Sequence, residues 1–343
     1  MGPELSPRRG RILKHVVEEY VVTAQPVSSD VLVKKYVPTV SSATVRNELA
    51  ALEGFGYLSH PHTSAGRIPS DLGYRYYVEW LMSGVRLSDT EERTISHQFH
   101  QVELSVDQWV RLAASVLASR LQNPVMVAPP MATTARLRRL DVMPIGASGW
   151  LLVLMLQSGA VKQQVLRTGD DWPFDSIAAL VRDWNDHFLG KSAIEIRASP
   201  IPEWQRPLRE PVAQLLDDAD RESATGGADV RIEGIGYMAA QPEFGTSERL
   251  QPVVDALEHH GILNSLIEPL LRSEGVFIAI GQEQPLERLR DCTIVLAGYG
   301  RPLEMMGFVG VIGPTRLPYW RTVPMVGYVA GMLGHLLEDT FMS

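Results

Sequence analysis

Two short segments near the start of the chain carry side chains of the kind that contact nucleic acids. The first, Thr39–Leu49, places hydroxyl groups, an arginine and an amide in the opening turns of a predicted helix. Side chains of these types at a helix N-terminus suit base edges and phosphates. The second, Pro61–Pro69, contains a turn around Gly66 followed by Arg67, where an arginine can reach a phosphate or a narrow minor groove. Together the two segments predict a recognition helix followed by a glycine-tipped wing.

The elements that must position these side chains follow from the hydrophobic spacing. Val45, Leu49 and Leu52 recur at i, i+4 and i+7, which predicts an apolar face on the third of three short helices. Each polar residue alone is equally typical of a capped, solvated surface helix. The order of three helices, a strand, a turn and a returning segment favours a winged helix-turn-helix. We expect its DNA contacts from these residues: Arg11, Ser41, Ser42, Thr44, Arg46, Asn47, His62, Thr63, Ser64 and Arg67.

Five short motifs spread along nearly the whole chain carry a resemblance to a known family. They are Ser41–Glu48, Pro61–Arg67, Gly73–Arg75, Gln241–Phe244 and Gly310–Arg316. On these motifs the sequence resembles the heat-inducible transcription repressors usually called HrcA. Two positions depart from the family pattern, where Ser28 replaces a usual glycine and Ser70 a usual threonine. The resemblance implies a repressor of chaperone genes that binds an inverted-repeat operator, CIRCE, as a homodimer and is assisted by the GroE chaperonin.

The charge of the chain is unevenly distributed. Its 343 residues have a net charge of -8. Residues 1–80 carry nine basic and eight acidic side chains, a net charge of +1, and the remainder carries -9. Bulk attraction to DNA is therefore weak, and affinity must come from the local placement of arginines. The arginines available in the N-terminal segment are Arg8, Arg9, Arg11, Arg46 and Arg67.

Sequence features typical of enzymes and metal sites are missing. The chain has no HExxH or CxxC motif and no phosphate-binding glycine loop. We therefore expect no catalytic residues, no metal and no cofactor. The single cysteine, Cys292, lies in an apolar strand-like run and is expected to be a buried thiol. With neither an export signal nor a membrane span in the sequence, these features predict a cytoplasmic protein.

The predicted fold class is α+β with several domains. Residues 1–83 form the winged-helix domain, and a capping box at Ser88–Glu91 opens the next domain. Residues 84–170 contain helices and an antiparallel meander, residues 171–229 turn helical and are broken by the four prolines between residues 200 and 211, and strands resume in residues 230–343. The resemblance implies that 84–170 and 230–343 form one GAF-like body, interrupted by a mainly helical dimerisation domain at 171–229.

Aromatic side chains in the inserted segment are candidates for the dimer contact. They are Trp172, Phe174, Trp184 and Phe188. The resemblance favours an intermolecular role, although these side chains could equally cover the core of their own chain.

The body of the chain leaves two interpretations open. Gln282 and Glu283, in a polar loop after a strand, and Arg316, in a glycine-rich motif, are candidates for an effector or regulatory site. In the first interpretation the body senses protein-folding stress and repression depends on the chaperonin. In the second the body is a GAF-like module that binds a small-molecule effector.

Overall fold

The fold is a mixture of α-helices and antiparallel β-sheets, as the sequence predicts. The computed structural model of the chain describes residues 5–61, 66–82, 84–101, 105–132, 134–145, 149–167, 177–225, 230–258, 275–284, 286–301 and 305–341. Its helices are α1 Pro7–Thr23, α2 Ser29–Lys35, α3 Ser42–Gly54, α4 Asp71–Tyr76, α5 Asp89–His100, α6 Val106–Leu121, α7 Ile177–Phe188, α8 Ala193–Ala198, α9 Arg206–Thr225, α10 Ile235–Ala239, α11 Ser247–Glu258 and α12 Tyr319–Phe341. Its strands are β1 Leu58–Ser59, β2 Ile68–Pro69, β3 Val125–Ala132, β4 Leu137–Ile145, β5 Gly149–Leu156, β6 Val161–Arg167, β7 Arg231–Glu233, β8 Val276–Ile280, β9 Cys292–Arg301 and β10 Met305–Pro314.

The chain divides into two compact units. Unit 1 consists of Met1–Ala128, Val230–Tyr299 and Phe308–Ser343, and unit 2 consists of Pro129–Asp229 and Gly300–Gly307. The meander β4-β5-β6, which the sequence assigns to the body, packs against the helices of residues 177–225 and so belongs to unit 2. The compact unit is therefore larger than the predicted inserted segment 171–229.

Serine caps determine where the N-terminal helices begin. The hydroxyls of Ser6, Ser28 and Ser41 accept hydrogen bonds from the first turns of α1, α2 and α3. Such caps satisfy backbone N–H groups that have no partner within the helix. The capping box that the sequence predicts at Ser88–Glu91 is present at the start of α5.

Strands β1 and β2 form a two-stranded antiparallel pair after the three helices, and α4 packs closely against it. Leu58 pairs with Pro69 in the ribbon. A Cβ atom on Gly73 of α4 would lie 2.1 Å from the carbonyl oxygen of Tyr57. Only glycine permits this approach of the helix to the ribbon.

The core of unit 1 extends from the N-terminal helices into a five-stranded sheet of order β7-β3-β10-β9-β8. One buried cluster contains Leu13 of α1, Val45 of α3, Val295 of β9 and Leu333 of α12. Cys292 is buried at the start of β9, and this burial raises the pKa of its thiol to about 12. The prediction of a buried thiol in a strand is confirmed.

Unit 2 is a three-stranded antiparallel sheet with helices on one face. The alternating burial of β5, with Leu152 and Leu154 fully buried, turns one side of the sheet toward α7 and α9. Trp184 and Phe188 of α7 lie in this core with ring centroids 4.6 Å apart, and Trp184 is completely buried.

The expected role of these two aromatic residues in a direct dimer contact is therefore corrected. The apolar face of α7 must be covered by its own sheet, so Trp184 and Phe188 have no surface to offer a second chain. Trp172 and Phe174 lie outside the described residues.

Two further features differ from the sequence analysis. α9 begins at Arg206 and continues through Pro211, where the sequence predicts a break. A proline in the first helical turn replaces an N–H that has no partner, and one interior proline removes a single i to i−4 bond from a helix of 20 residues. Strand β3, which contains Pro129 and Pro130, was not predicted.

No helix within the described ranges is both long and apolar enough to cross a membrane.

Candidate nucleic-acid interface

Helix α3 presents a polar outer surface and a buried inner face. Val45, Leu49 and Leu52 are at most 4% exposed, which confirms the predicted apolar face. Arg46 and Asn47, one and two residues after Val45, are both exposed. Their guanidinium and amide groups are the types that pair with guanine and adenine edges.

The rest of the outer surface of α3 consists of small residues. Ala43, Ala50 and Gly54 are exposed and follow one another around Asn47 at helical spacing. They are not among the contacts predicted from the sequence, although Ala43 and Ala50 lie four and three residues from Asn47 and Gly54 lies four residues after Ala50. Because their side chains are short, the backbone of α3 can approach a partner surface closely along this face.

Ser42 has an internal role that the sequence does not reveal. Its hydroxyl donates to Asp30 of α2 at 2.9 Å and lies 3.3 Å from the hydroxyl of Ser29. Arg46 donates back to the Ser42 oxygen at 3.2 Å. Ser42 therefore joins α3 to α2 and orients Arg46. The Ser41 hydroxyl caps α3 and lies 2.8 Å from that of Thr44.

An open groove separates α3 from the start of α2 and the ribbon. Its volume is about 290 Å³. The groove is lined by Val27, Ser28, Ser29, Arg46, Leu49, Gly66 and Arg67. Guanidinium and hydroxyl groups line the same concavity, and this combination suits an anionic oxygen.

The base of the predicted wing is closely tied to the segment before α2. The backbones of Val27 and Arg67 exchange two hydrogen bonds of 2.8 Å. A Cβ atom on Gly66 would lie 2.5 Å from the backbone of Val27, so this turn needs glycine. His62, Thr63 and Ser64, the predicted contacts at the tip, lie outside the described residues.

Arg67 is held inside this base and does not extend from it. Its guanidinium lies 2.9 Å from a carboxylate oxygen of Glu53 and also contacts Nε2 of His60. Nδ1 of His60 is 2.5 Å from the other oxygen of Glu53. The side chain of Arg67 is 19% exposed. The expected reach of Arg67 to a phosphate or minor groove is therefore corrected: in this conformation Arg67 connects the start of β2 to the end of α3.

The arginines of α1 differ in their surroundings. Arg9 donates to Glu48 of α3 at 2.7 Å, and its guanidinium lies 5.5 Å from the ring centre of Phe55. Arg8 lies 4.0 Å from the same carboxylate. Arg11, the predicted contact, is exposed and lies two residues from Arg9. Two residues of a helix are about 200° apart, so Arg11 faces away from Glu48.

The three residues expected in an effector site lie elsewhere in unit 1 and contact the N-terminal helices. Glu283 binds Arg75 of α4, and the backbone N–H of Gln282 donates to Asp71 at 3.0 Å. Arg316 donates to the carbonyl oxygen of Val21 in α1 at 3.3 Å.

Comparison with known proteins gives a consistent result. The family model described as HrcA protein C terminal domain matches residues 107–323. The heat-inducible transcription repressor HrcA of Roseiflexus sp. (strain RS-1) is 39% identical, over 99% of this chain and 97% of the relative. The protein of the same name from Herpetosiphon aurantiacus is 38% identical, over 99% of this chain and 98% of its own. A crystal structure of a hypothetical protein matches with a TM-score of 0.59 and 22% identity, covering 98% of both chains, and supports the fold alone.

The contacts of Glu53 predict a pH-dependent stability. The hydrogen bond with His60 and the charge of Arg67 lower the pKa of Glu53 below its ordinary value of 4.5. A carboxyl whose pKa is lower when folded stabilises the protein fully above its unfolded value, and this contribution disappears as the pH falls through the folded value. We expect Glu53→Gln to unfold at lower urea concentration than wild type at pH 7, and the difference to shrink steadily below pH 4.5.

Urea unfolding followed by circular dichroism between pH 7 and pH 3 measures this difference. Glu287→Gln is the matched control, because it removes a carboxylate from the same unit at a position where the side chain is 83% exposed. A Glu53→Gln difference of the same size at pH 3 and pH 7 would contradict the assignment.

Proposed function

The chain belongs to the HrcA family of heat-inducible transcription repressors, and from this premise we propose that it binds an inverted-repeat operator, CIRCE, through an N-terminal winged helix-turn-helix. We further propose that it acts in the cytoplasm as a homodimer, that the parts of residues 84–170 and 230–343 that belong to unit 1 supply a GAF-like body, and that the GroE chaperonin controls its activity. The family is one of repressors and not of enzymes.

The observation that carries the DNA proposal is the composition of the outer surface of α3. A helix enters the major groove only if the side chains that face the bases are short or can pair with base edges. Ala43, Ala50 and Gly54 meet the first condition, and Arg46 and Asn47 meet the second. The groove beside Arg46 adds the hydroxyls of the α2 segment, which suit a backbone phosphate next to the bases that α3 contacts.

The support for a dimer comes from the second face of the unit 2 meander. Along the strands the side chains that point away from the core are mostly apolar, and five of them are between 37% and 56% exposed. These five are Met143, Ile145, Met155, Val161 and Val165. The register places Met143 opposite Leu151, which lies opposite Val165, so the three form one apolar row across the sheet.

A second copy of this chain is the occupant that we propose for this face. The outward face of the meander has few polar side chains. Two of them, Arg139 and Asp141, form an ion pair of 2.8 Å that neutralises their charges. A patch of this kind is self-complementary, and a twofold axis can pair it with itself. This surface replaces Trp184 and Phe188 as the proposed dimer contact.

The same surface gives a physical reason for chaperonin control. If heat separates the protomers, the apolar row of the meander becomes exposed to water. Exposed apolar strands are the surfaces through which partly folded proteins aggregate and on which chaperones act. Repression would then depend on the balance between dimers and chaperonin-bound or aggregated monomers, which a few kcal/mol can shift strongly.

We expect Arg46→Ala to weaken operator binding by about 1–3 kcal/mol, or roughly 5- to 150-fold, because a bidentate contact with guanine is lost. Fluorescence anisotropy with an operator duplex at fixed salt measures the affinity. Arg111→Ala is the matched control, since Arg111 is 61% exposed on α6 and lies outside the proposed interface. Equal affinities for a folded Arg46→Ala protein and wild type would remove Arg46 from the proposed interface.

We expect Met155→Glu to produce a folded monomer, because it introduces a charge into the apolar face of the meander. Sedimentation velocity measures the oligomeric state, and the far-ultraviolet circular dichroism spectrum reports folding. Ile194→Glu is the matched control, since it places the same charge at a 77% exposed apolar position on α8 of the same unit. A folded Met155→Glu protein that remains dimeric would place the interface elsewhere.

We expect purified protein to lose operator binding after mild heating and to recover it when GroE chaperonin and ATP are added. The physical reason is the exposed apolar sheet of the separated protomers, which a chaperonin can bind and release. Chaperonin without ATP is the control, and it should not restore binding. Binding that survives heating unchanged and does not respond to chaperonin would favour control by a small molecule.

A further inference from the structure

Three sequence motifs lie away from α3 and meet where the N-terminal segment contacts the rest of unit 1. We call residues 5–82 the N-terminal segment and the part of unit 1 after residue 83 the body. The motif Gly73–Arg75 belongs to the N-terminal segment, and Gln241–Phe244 and Gly310–Arg316 belong to the body. Two arginines from these motifs cross the junction, and we call their contacts the arginine clamps.

The first clamp is formed by Arg75 of α4. Its Nε donates to one carboxylate oxygen of Glu283 at 2.8 Å, and an Nη donates to the other oxygen. The same Nη donates to the carbonyl oxygen of Ile278 in β8 at 2.7 Å. Glu283 is fixed in turn by the backbone N–H of Ile280 at 2.8 Å. Bidentate charge-assisted pairs of this kind are directional as well as strong, so they define an orientation.

The backbone beside the first clamp approaches α4 closely. Asp71, at the start of α4, accepts a hydrogen bond from the backbone N–H of Gln282. A Cβ atom on Gly281 would lie 2.1 Å from the Asp71 carboxylate, and Gly281 has a φ of +52°. Both the approach and the left-handed backbone favour glycine at this position. The loop Gly281–Glu283 is therefore shaped to receive α4.

The second clamp is formed by Arg316 of the body, which is 13% exposed. Its guanidinium binds both carboxylate oxygens of Glu243 and donates to Oε1 of Gln241 at 2.7 Å. Another of its nitrogens donates to the carbonyl oxygen of Val21 at 3.3 Å. Val21 lies in the last turn of α1, where carbonyl groups lack helical partners and a positive charge is favourable. Arg316 therefore links a loop of the body to the end of α1.

Aromatic side chains contribute apolar contacts to the same junction. Tyr74 and Tyr77 of the N-terminal segment lie 5.6 Å and 6.5 Å from Tyr319 at the start of α12, measured between ring centres. Tyr319 is completely buried, and its hydroxyl donates to the carbonyl oxygen of Thr315 at 2.6 Å. The aromatic contacts stabilise the junction, and the hydrogen bonds of the clamps fix the orientation of the N-terminal segment on the body.

The clamps leave the outer surface of α3 exposed. Arg46 and Asn47 are accessible while Arg75 and Arg316 hold their partners. The contacts therefore do not block the proposed DNA surface, and their effect must be on its orientation.

We propose that Arg75 and Arg316 are positioning residues for operator binding, which fix α3 on the body so that the two α3 helices of a dimer match both half-sites of one inverted repeat. The inference rests on the proposed function. In a dimer, binding to the second half-site becomes intramolecular and gains a large effective concentration only when the geometry permits both contacts at once. A loosened clamp would keep the contact with each half-site and lose this advantage.

The test compares variants of the full-length protein on three duplexes. The first is an inverted repeat that the wild-type protein selects from random-sequence DNA, the second contains one half-site, and the third has about five extra base pairs, or half a helical turn, between the half-sites. Glu283→Gln weakens the first clamp, and Arg316→Gln weakens the second. Glu79→Gln is the matched control, because Glu79 lies 3.8 Å from Arg75 in the π-helical turn Tyr77–Leu81 that follows α4, and it does not belong to the body.

We expect Glu283→Gln and Arg316→Gln to bind the half-site with wild-type affinity, and to bind the whole repeat about tenfold or more weakly than wild type. The penalty for the extra base pairs should also shrink, whereas Glu79→Gln should match wild type on all three duplexes. Circular dichroism and sedimentation establish that each variant is a folded dimer.

The outcomes separate this inference from the proposed function. A wild-type protein without preference for the whole repeat over the half-site would overturn both. A wild-type preference that persists unchanged in both clamp variants would overturn the clamps alone. Equal losses on half-site and whole repeat would assign the arginines a purely structural role, and tighter binding to the whole repeat would make the clamps inhibitory, so either result overturns the inference.

Discussion

The buried core of unit 1 continues from the first helix of the chain to the last, and the N-terminal segment depends on this continuity for its position. Leu13 and Val45 belong to the same cluster as Val295 and Leu333. Helix α3 is therefore part of a shared core and is not a separate module on a tether. Moving it would expose apolar side chains, each worth about 1.5–3 kcal/mol when buried. A change in the orientation of α3 must therefore be a transition between two packed arrangements, since packed interfaces do not deform continuously.

Polar side chains around α3 fall into two groups with different roles. Ser42 and Arg67 are engaged inside the N-terminal segment, where their partners are Asp30 and Glu53. Arg46 and the amide of Asn47 point outward. A serine or an arginine can serve either purpose, because the same donor can satisfy a carboxylate of its own chain or a phosphate of a partner. Whether a side chain binds within its own chain or remains available to a partner depends on whether the fold places a carboxylate within hydrogen-bonding distance of it.

The sequence predicts local features of this fold better than distant ones. The capping box at Ser88 and the apolar spacing of α3 are signals within a few residues, and the structure contains them. Strand β3 depends on pairing with residues 231–233, far along the chain. Its two prolines argue against a strand when the sequence is considered alone.

For the same reason, the sequence indicates which residues belong to the candidate site but not which of them the fold brings together. The burial of Trp184 in its own unit and the junction partners of Glu283 and Arg316 depend on contacts between segments that are distant in sequence. The hydrophobic period shows that α7 has an apolar face, but it does not show which sheet covers that face.

The junction also bears on the two interpretations of the body. In the small-molecule interpretation, the loop of Gln282 and Glu283 faces a ligand. In the structure, however, these residues contact Asp71 and Arg75. An effector that used this loop would have to displace α4, and its binding would then compete with the orientation of α3. Heat would weaken the same contacts, because it loosens the packed core that holds the two clamps in place. A ligand at this loop and heat would both act through the packing of α4 on the body, so the junction would be a second point of control beside the proposed dimer contact of unit 2.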